Sequence, residues 1–157
     1  MIDIADVSQL RAHLGRELAA SDWLTVTQER IAVFADATGD HQWIHLDEER
    51  AARESPYKTT IAHGFLSLSL ISTLVRNAVS IAGVNHAINY GLNRVRFISA
   101  VPAGARIRAR VTPASMEEID GGYVQVLWNV IVDREGSEKP CLAAEWLVRY
   151  HVGRGRT

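Results

Sequence analysis

From Thr38 to Asp47 the chain reads Thr-Gly-Asp-His-Gln-Trp-Ile-His-Leu-Asp, its densest polar run. The run holds an acid, Asp40, and an imidazole, His45, with four residues between them. A carboxylate and an imidazole meeting at one small site can hold a water molecule, one taking its proton while the other orients it or returns a proton to the product. The same residues admit a plain structural reading, in which Asp40 caps nearby backbone N–H groups and His45 fills a polar pocket. Further along, Ile61-Ala62-His63-Gly64-Phe65 opens an apolar stretch. A helix start there exposes unpaired N–H groups and a partial positive charge. Gly64 has no Cβ, so a substrate carbonyl can come close to its amide, and an N–H aimed at a developing oxyanion is worth about 2.7–4 kcal/mol. Close helix–sheet packing is the other reason for a glycine at this place.

These residues need elements to carry them. Val7–Leu14 and Gln28–Ala37 read as short helices, the second with Ile31, Phe34 and Ala35 on one face and Gly39 as its C-terminal cap. Trp23–Val26 reads as a strand between them. Asp47 is placed to N-cap a third short helix, EERAARES, which Pro56 ends. Ile61–Asn77 is apolar nearly all round, with Ser67, Ser69 and Ser72 inserted, the composition of a central helix enclosed by protein. After Gly91 the period changes to two: Asn93–Ile98, Arg106–Val111, Tyr123–Val132 and Leu142–Tyr150 read as strands, with turns at 101–104, 120–122 and 134–137 that join antiparallel neighbours. Helices first and antiparallel strands after them make an α+β fold, a curved sheet with one long helix on its concave face.

At 157 residues the chain fits a single domain over 1–157, and 47% apolar with 22% charged residues is the make-up of a globular protein. Seventeen Lys plus Arg against 18 Asp plus Glu give a net charge of −1, which provides no field for a polyanion, so no nucleic acid partner is expected. The start, MIDIADVSQLRAHLG, lacks the basic-then-apolar order of an export signal. The longest charge-free stretch, Thr59–Val75, is shorter than the roughly 20 apolar residues of a membrane span and contains His63, so no membrane partner is expected either. Cys141 stands alone, with no second cysteine for a disulfide or a zinc site. A cytoplasmic location fits these features.

The run Phe34–Asp47, followed by Ile61-Ala62-His63-Gly64-Phe65-Leu66, resembles the (R)-specific enoyl-CoA hydratases, or MaoC-like dehydratases, whose pattern is G-D-x-N-P-x-H and then A-H-G at a helix start. The likeness covers about residues 25–110. It implies a hot-dog fold, the central helix wrapped by an antiparallel sheet, assembled as a homodimer. It also implies reversible hydration of trans-2-enoyl thioesters to (R)-3-hydroxyacyl thioesters in fatty acid metabolism, on an acyl-CoA or acyl-ACP substrate. On that match Asp40 and His45 take the catalytic dyad positions and the Gly64 amide the oxyanion position. Gln42 and Trp43 depart from the usual Asn-Pro, so the hydrogen bonding behind the loop must differ.

No cofactor is implied. A metal held by Asp40, His45 and His63 would suit their chemistry, but the implied reaction needs none, and none is expected. His63 reads as a structural hydrogen-bonding residue, and His41 and His86 as surface residues. Trp128 and Trp146 read as core or dimer-interface aromatics, Cys141 as an inert buried thiol, and Arg94, Arg96, Arg106, Arg108 and Arg110 as a solvated stripe with one or two members available to CoA phosphates. Two other functions share the fold. A thioesterase would release free CoA, and a non-catalytic acyl-binding partner subunit would usually lack Asp40 or His45.

Overall fold

The computed structural model describes residues 1–152. Three of the four short helices of its first half are capped by a side chain. Asp6 caps a 3-10 helix over Val7–His13. Thr27 caps α1 (Gln28–Thr38), and Gly39 closes it in the left-handed region at φ 75°, its N–H donating to the Ala35 carbonyl at 2.8 Å. Ile31 and Ala35 are the buried residues of α1, while Phe34 packs against the core partly buried. One turn of helix, α2 (Trp43–Leu46), leads into α3 (Glu48–Glu54), where Asp47 accepts from the Arg50 amide at 2.9 Å as the expected N-cap.

The central helix α4 spans Gly64–Ala78, so it starts three residues later than its composition indicates. The cause is tertiary. Ile61 bridges Pro102, and the Ala62 amide donates to Val101 at 2.8 Å, which keeps residues 61–63 extended and makes Gly64 the first helical residue. Leu66, Ile71, Leu74, Val75 and Ala78 bury one face of α4, whereas Phe65, Ser69, Arg76 and Asn77 are exposed. The enclosure expected on all sides is therefore one-sided.

Eight strands complete the fold: β1 (Ile2–Ile4), β2 (Ala19–Ala20), β3 (Leu24–Thr25), β4 (Val79–Ile81), β5 (His86–Phe97), β6 (Arg106–Ile119), β7 (Tyr123–Arg134) and β8 (Leu142–His151). The main sheet is antiparallel in the order β2-β6-β7-β8-β5, with β3 also on β6. Along β7 and β8 buried and less buried residues alternate, and the buried set, with Ile107 and Val111 of β6, meets α4 in one core. This is the α+β arrangement with a curved sheet that the residue pattern indicates. A separate parallel pair, β1 with β4, has no counterpart in that reading.

The remaining differences are informative. The turns after β6 and β7 do join antiparallel neighbours, but the 101–104 turn does not, because β5 lies on β8 at the far edge and the chain crosses the sheet to reach β6. β6 runs past Val111 through Pro113, which cannot donate to the ladder, and the register shifts between Pro113 and Ser115. β5 begins at His86, before Asn93, and as an edge strand it is largely exposed along its length. Trp128 and Trp146 face inward and are buried, with Trp128 Nε1–H donating to the Tyr150 hydroxyl at 3.1 Å. They are core aromatics, so a need to cover them cannot drive association. The arginines of β6 are ion-paired, Arg106 with Glu135 and Arg110 with both Asp133 and Glu17.

Candidate active site

Asp40 and His45 meet because the chain between them turns once and stops. Helix α2 aims the His45 ring inward, where the residue is 8% exposed, while the Asp40 side chain stays 56% exposed. His45 Nδ1 lies 2.7 Å from the Ile61 carbonyl. A carbonyl has no hydrogen to give, so Nδ1 carries the proton and Nε2 keeps its lone pair. Asp40 does in part what its plain structural reading says. Its Oδ1 accepts weakly from the Gln42 amide at 3.4 Å, while Oδ2 lies 3.9 Å from His63 Nε2.

His63 joins the two more closely than its place outside the dyad foretells. It is 3% exposed, its Nε2–H donates to the Asp40 backbone carbonyl at 2.9 Å, and its ring stacks on that of His45 with centroids 3.7 Å apart. One ligand atom each from Asp40, His45 and His63 fall within 4.8 Å of one another, close enough for one water to bridge the acid and the imidazole. The donor types also suit a metal ion. One nitrogen of each imidazole is committed to a carbonyl, an arrangement that metal-ligating histidines also show, and the two rings lie face to face.

Gly64 follows His63 directly, and its N–H, first of α4, meets no acceptor among the described residues. A Cβ built on Gly64 would stand 3.1–3.2 Å from three atoms of the Phe97 ring. Both explanations for a glycine therefore apply, an open amide and a close packing contact.

Two residues without any signal in the sequence stand behind the site. Gln28, the first residue of α1, donates from Nε2 to the His45 carbonyl at 2.8 Å, and Thr60 donates from its hydroxyl to Gln28 Oε1 at 2.5 Å. Among the residues set aside, His41 is exposed and bonded to Asp36, His86 is exposed, and burial raises the pKa of the Cys141 thiol to about 11, which keeps it protonated.

The family described as MaoC like domain matches residues 9–134. The chain belongs to this family. The MaoC-like chain is 50% identical over 144 residues to 3-hydroxyacyl-thioester dehydratase Z of Mycobacterium tuberculosis, covering 92% of this chain and 95% of that protein. It is 42% identical over 147 residues to nodulation protein N of Rhizobium leguminosarum, covering 93% and 89% of the two chains. Among solved structures it is similar to an R-hydratase of Pseudomonas aeruginosa in unliganded form, with TM-score 0.65, 25% identity, and 87% and 82% of the chains covered. The hot-dog fold is thus the fold of this MaoC-like chain.

Burial, and next the nearby His63, hold the pKa of His45 below its ordinary value, against the opposing hydrogen bond to Ile61 and the charge of Asp40. The imidazole is neutral at neutral pH. In the unfolded chain it binds a proton as pH falls through about 6.5, whereas in the folded chain it does so only at lower pH. The unfolded state then holds more protons, and the contribution of His45 to stability, full above that value, is lost as pH falls toward the folded pKa. Urea midpoints at about pH 7.5 and about pH 5.5 should show a smaller acid-side drop for His45→Gln than for the unaltered protein.

Proposed function

We propose that this chain catalyses the reversible addition of water to trans-2-enoyl thioesters, giving (R)-3-hydroxyacyl thioesters, with Asp40, His45 and the Gly64 N–H as the working groups. The observation that carries the reading is the meeting of Asp40 and neutral His45 beside His63, with the open Gly64 amide next in the chain. The relative named as a 3-hydroxyacyl-thioester dehydratase supports it, since dehydration of a 3-hydroxyacyl thioester is the same reaction in reverse.

A water between the two side chains donates one hydrogen to His45 Nε2 and the other to an Asp40 oxygen. The Gly64 N–H polarises the thioester carbonyl, which makes Cβ electrophilic and stabilises the enolate-like charge. As the water oxygen bonds to Cβ, its proton passes to the dyad, and the dyad delivers a proton to Cα. The sum adds one water across the double bond and leaves both side chains as they began.

The acyl portion has somewhere to go. A cleft between α4 and β5 holds two adjoining cavities of about 250 Å³ and about 600 Å³, which share Ser72, Asn89 and Trp146. Its near end at Leu68 is one helical turn, about 6 Å, beyond Gly64. Leu92, Val75 and Val148 give it the apolar lining that a hydrocarbon chain requires. An acyl-CoA or acyl-ACP thioester fits this layout.

The chain acts as one domain over residues 1–157, in the cytoplasm, as a homodimer. β5 supports the dimer: it has β8 on one side only and exposes Ile88, Tyr90 and Leu92. No helix among the described residues is long and apolar enough to cross a membrane.

With a trans-2-enoyl-CoA, absorbance of the conjugated thioester should fall and chiral analysis should return the (R)-3-hydroxy product; release of free CoA instead would mean hydrolysis and overturn the reading. Asp40→Asn and His45→Gln should each slow turnover by about 10²–10⁴-fold. Near-normal rates in folded variants would remove those residues from the chemistry. For Gly64 the comparison is between Gly64→Ala and Gly64→Ala combined with Phe97→Leu, which relieves the 3.1 Å contact. Alanine keeps the N–H but sets a methyl group where the thioester oxygen approaches it, so both should lose activity by about 10-fold to 10²-fold; recovery in the double variant would leave Gly64 only its packing role. Light scattering at micromolar concentration should give twice the mass of one chain, and a monomer mass would refute the dimer.

A further inference from the structure

We infer that Gln28 and Thr60 act as a positioning pair that fixes the direction of the His45 ring, an inference that rests on the hydration reading above. Helix α2 is four residues long, and its N-cap Gln42 makes no side-chain capping bond. A single turn has no rigidity of its own, because nucleating a helix costs more than one turn returns. Something outside must hold it.

Four bonds do so, and three of them form a closed circuit. Gln28 donates from Nε2 to the His45 carbonyl at 2.8 Å, satisfying one of the acceptors that a helix end leaves free. With its NH2 group turned to a carbonyl, Gln28 presents Oε1 to the Thr60 hydroxyl at 2.5 Å, so the amide orientation is determined at both ends. Thr60 is 1% exposed, and its neighbour Ile61 accepts the His45 Nδ1–H at 2.7 Å. Ile61 also donates its own amide to the Ile44 carbonyl at 3.1 Å. The backbone and the ring of His45 are thereby gripped from α1 and from residues 60–61 at once. Gln28 is itself fixed as the first residue of a helix capped by Thr27. The circuit leaves Nε2 as the one free ring nitrogen of a histidine that has a ligand atom within 4.8 Å of one on Asp40. It also supplies hydrogen bonding behind a loop whose Gln42 and Trp43 replace the usual Asn-Pro.

Neither residue is placed to touch substrate, so loss of the pair should appear in kcat and not in KM. Gln28→Met keeps the length of the side chain and removes both bonds; kcat should fall about 10-fold to 10²-fold while KM stays within about twofold. Thr60→Val should shift kcat the same way by less, Thr60→Ser should restore it, and Gln28→Met with Thr60→Val should be no slower than Gln28→Met alone, as for one shared unit. Nitrogen-15 NMR of the His45 ring reads the same pair without turnover. The spectrum should show Nδ1–H as the sole neutral tautomer in the unaltered protein and a mixture in Gln28→Met. Folded Gln28→Met and Thr60→Val with unchanged kcat and unchanged ring nitrogen shifts would overturn the inference. Should Gln28→Met not fold, Thr60→Val against Thr60→Ser decides it. If the unaltered protein hydrates no enoyl thioester, the functional reading fails, and the ring spectra still decide the pair.

Discussion

Everything at the site depends on residues 60–62 being held straight. The bridge from Ile61 to Pro102, the Ala62 amide on Val101 at 2.8 Å and the Ala103 amide on Thr60 at 2.9 Å pin this segment as an extended stub. A stub has carbonyls to spare, and that of Ile61 takes the His45 proton, which a helical Ile61 would offer to its own helix. Because the stub must end before helix can begin, the first free amide falls on Gly64 next to His63. One backbone conformation therefore orients the imidazole and exposes the amide together.

The parts legible in the sequence were those with local causes. Gly39 and Asp47 mark helix ends through bonds to residues within four positions, and period-two patterning marks β7 and β8 because each has one face on the core. The Asp40 and His45 pairing was legible for a similar reason, both lying on one short loop. Hidden were the features set by distant partners. The onset of α4 depends on Pro102 and Val101, and Gln28 reaches His45 across seventeen positions through a single amide, a contact that leaves no mark in periodicity or charge. The first half of β5 carries no alternation, because an exposed edge strand has no buried face to impose it.

His63 shows how residue type alone underdetermines a role. Its position before the helix gave it the standing of a hydrogen-bonding residue, and its Nε2–H on the Asp40 carbonyl is such a bond. Yet its ring also covers one face of His45 and keeps water from that side, which adds to the burial that holds His45 neutral. Its Nδ1 is buried and has no partner among the described residues, a cost of about 1–3 kcal/mol that stability alone does not explain.

The crossing from β5 to β6 orders events in time. In the sheet β5 pairs only with β8, whose residues are the last of the sheet to leave the ribosome, so β5 has no sheet partner until residues 142–151 have been made. The contacts of His45 with Ile61 and of His63 with Asp40 close over 16 and 23 positions, much shorter than any pairing of β5 with β8, and short loops close at lower entropic cost. On a nascent chain the groups of the dyad can thus be gathered while the strand that walls the acyl cleft still hangs free, an unpaired segment open to folding helpers until β8 is made.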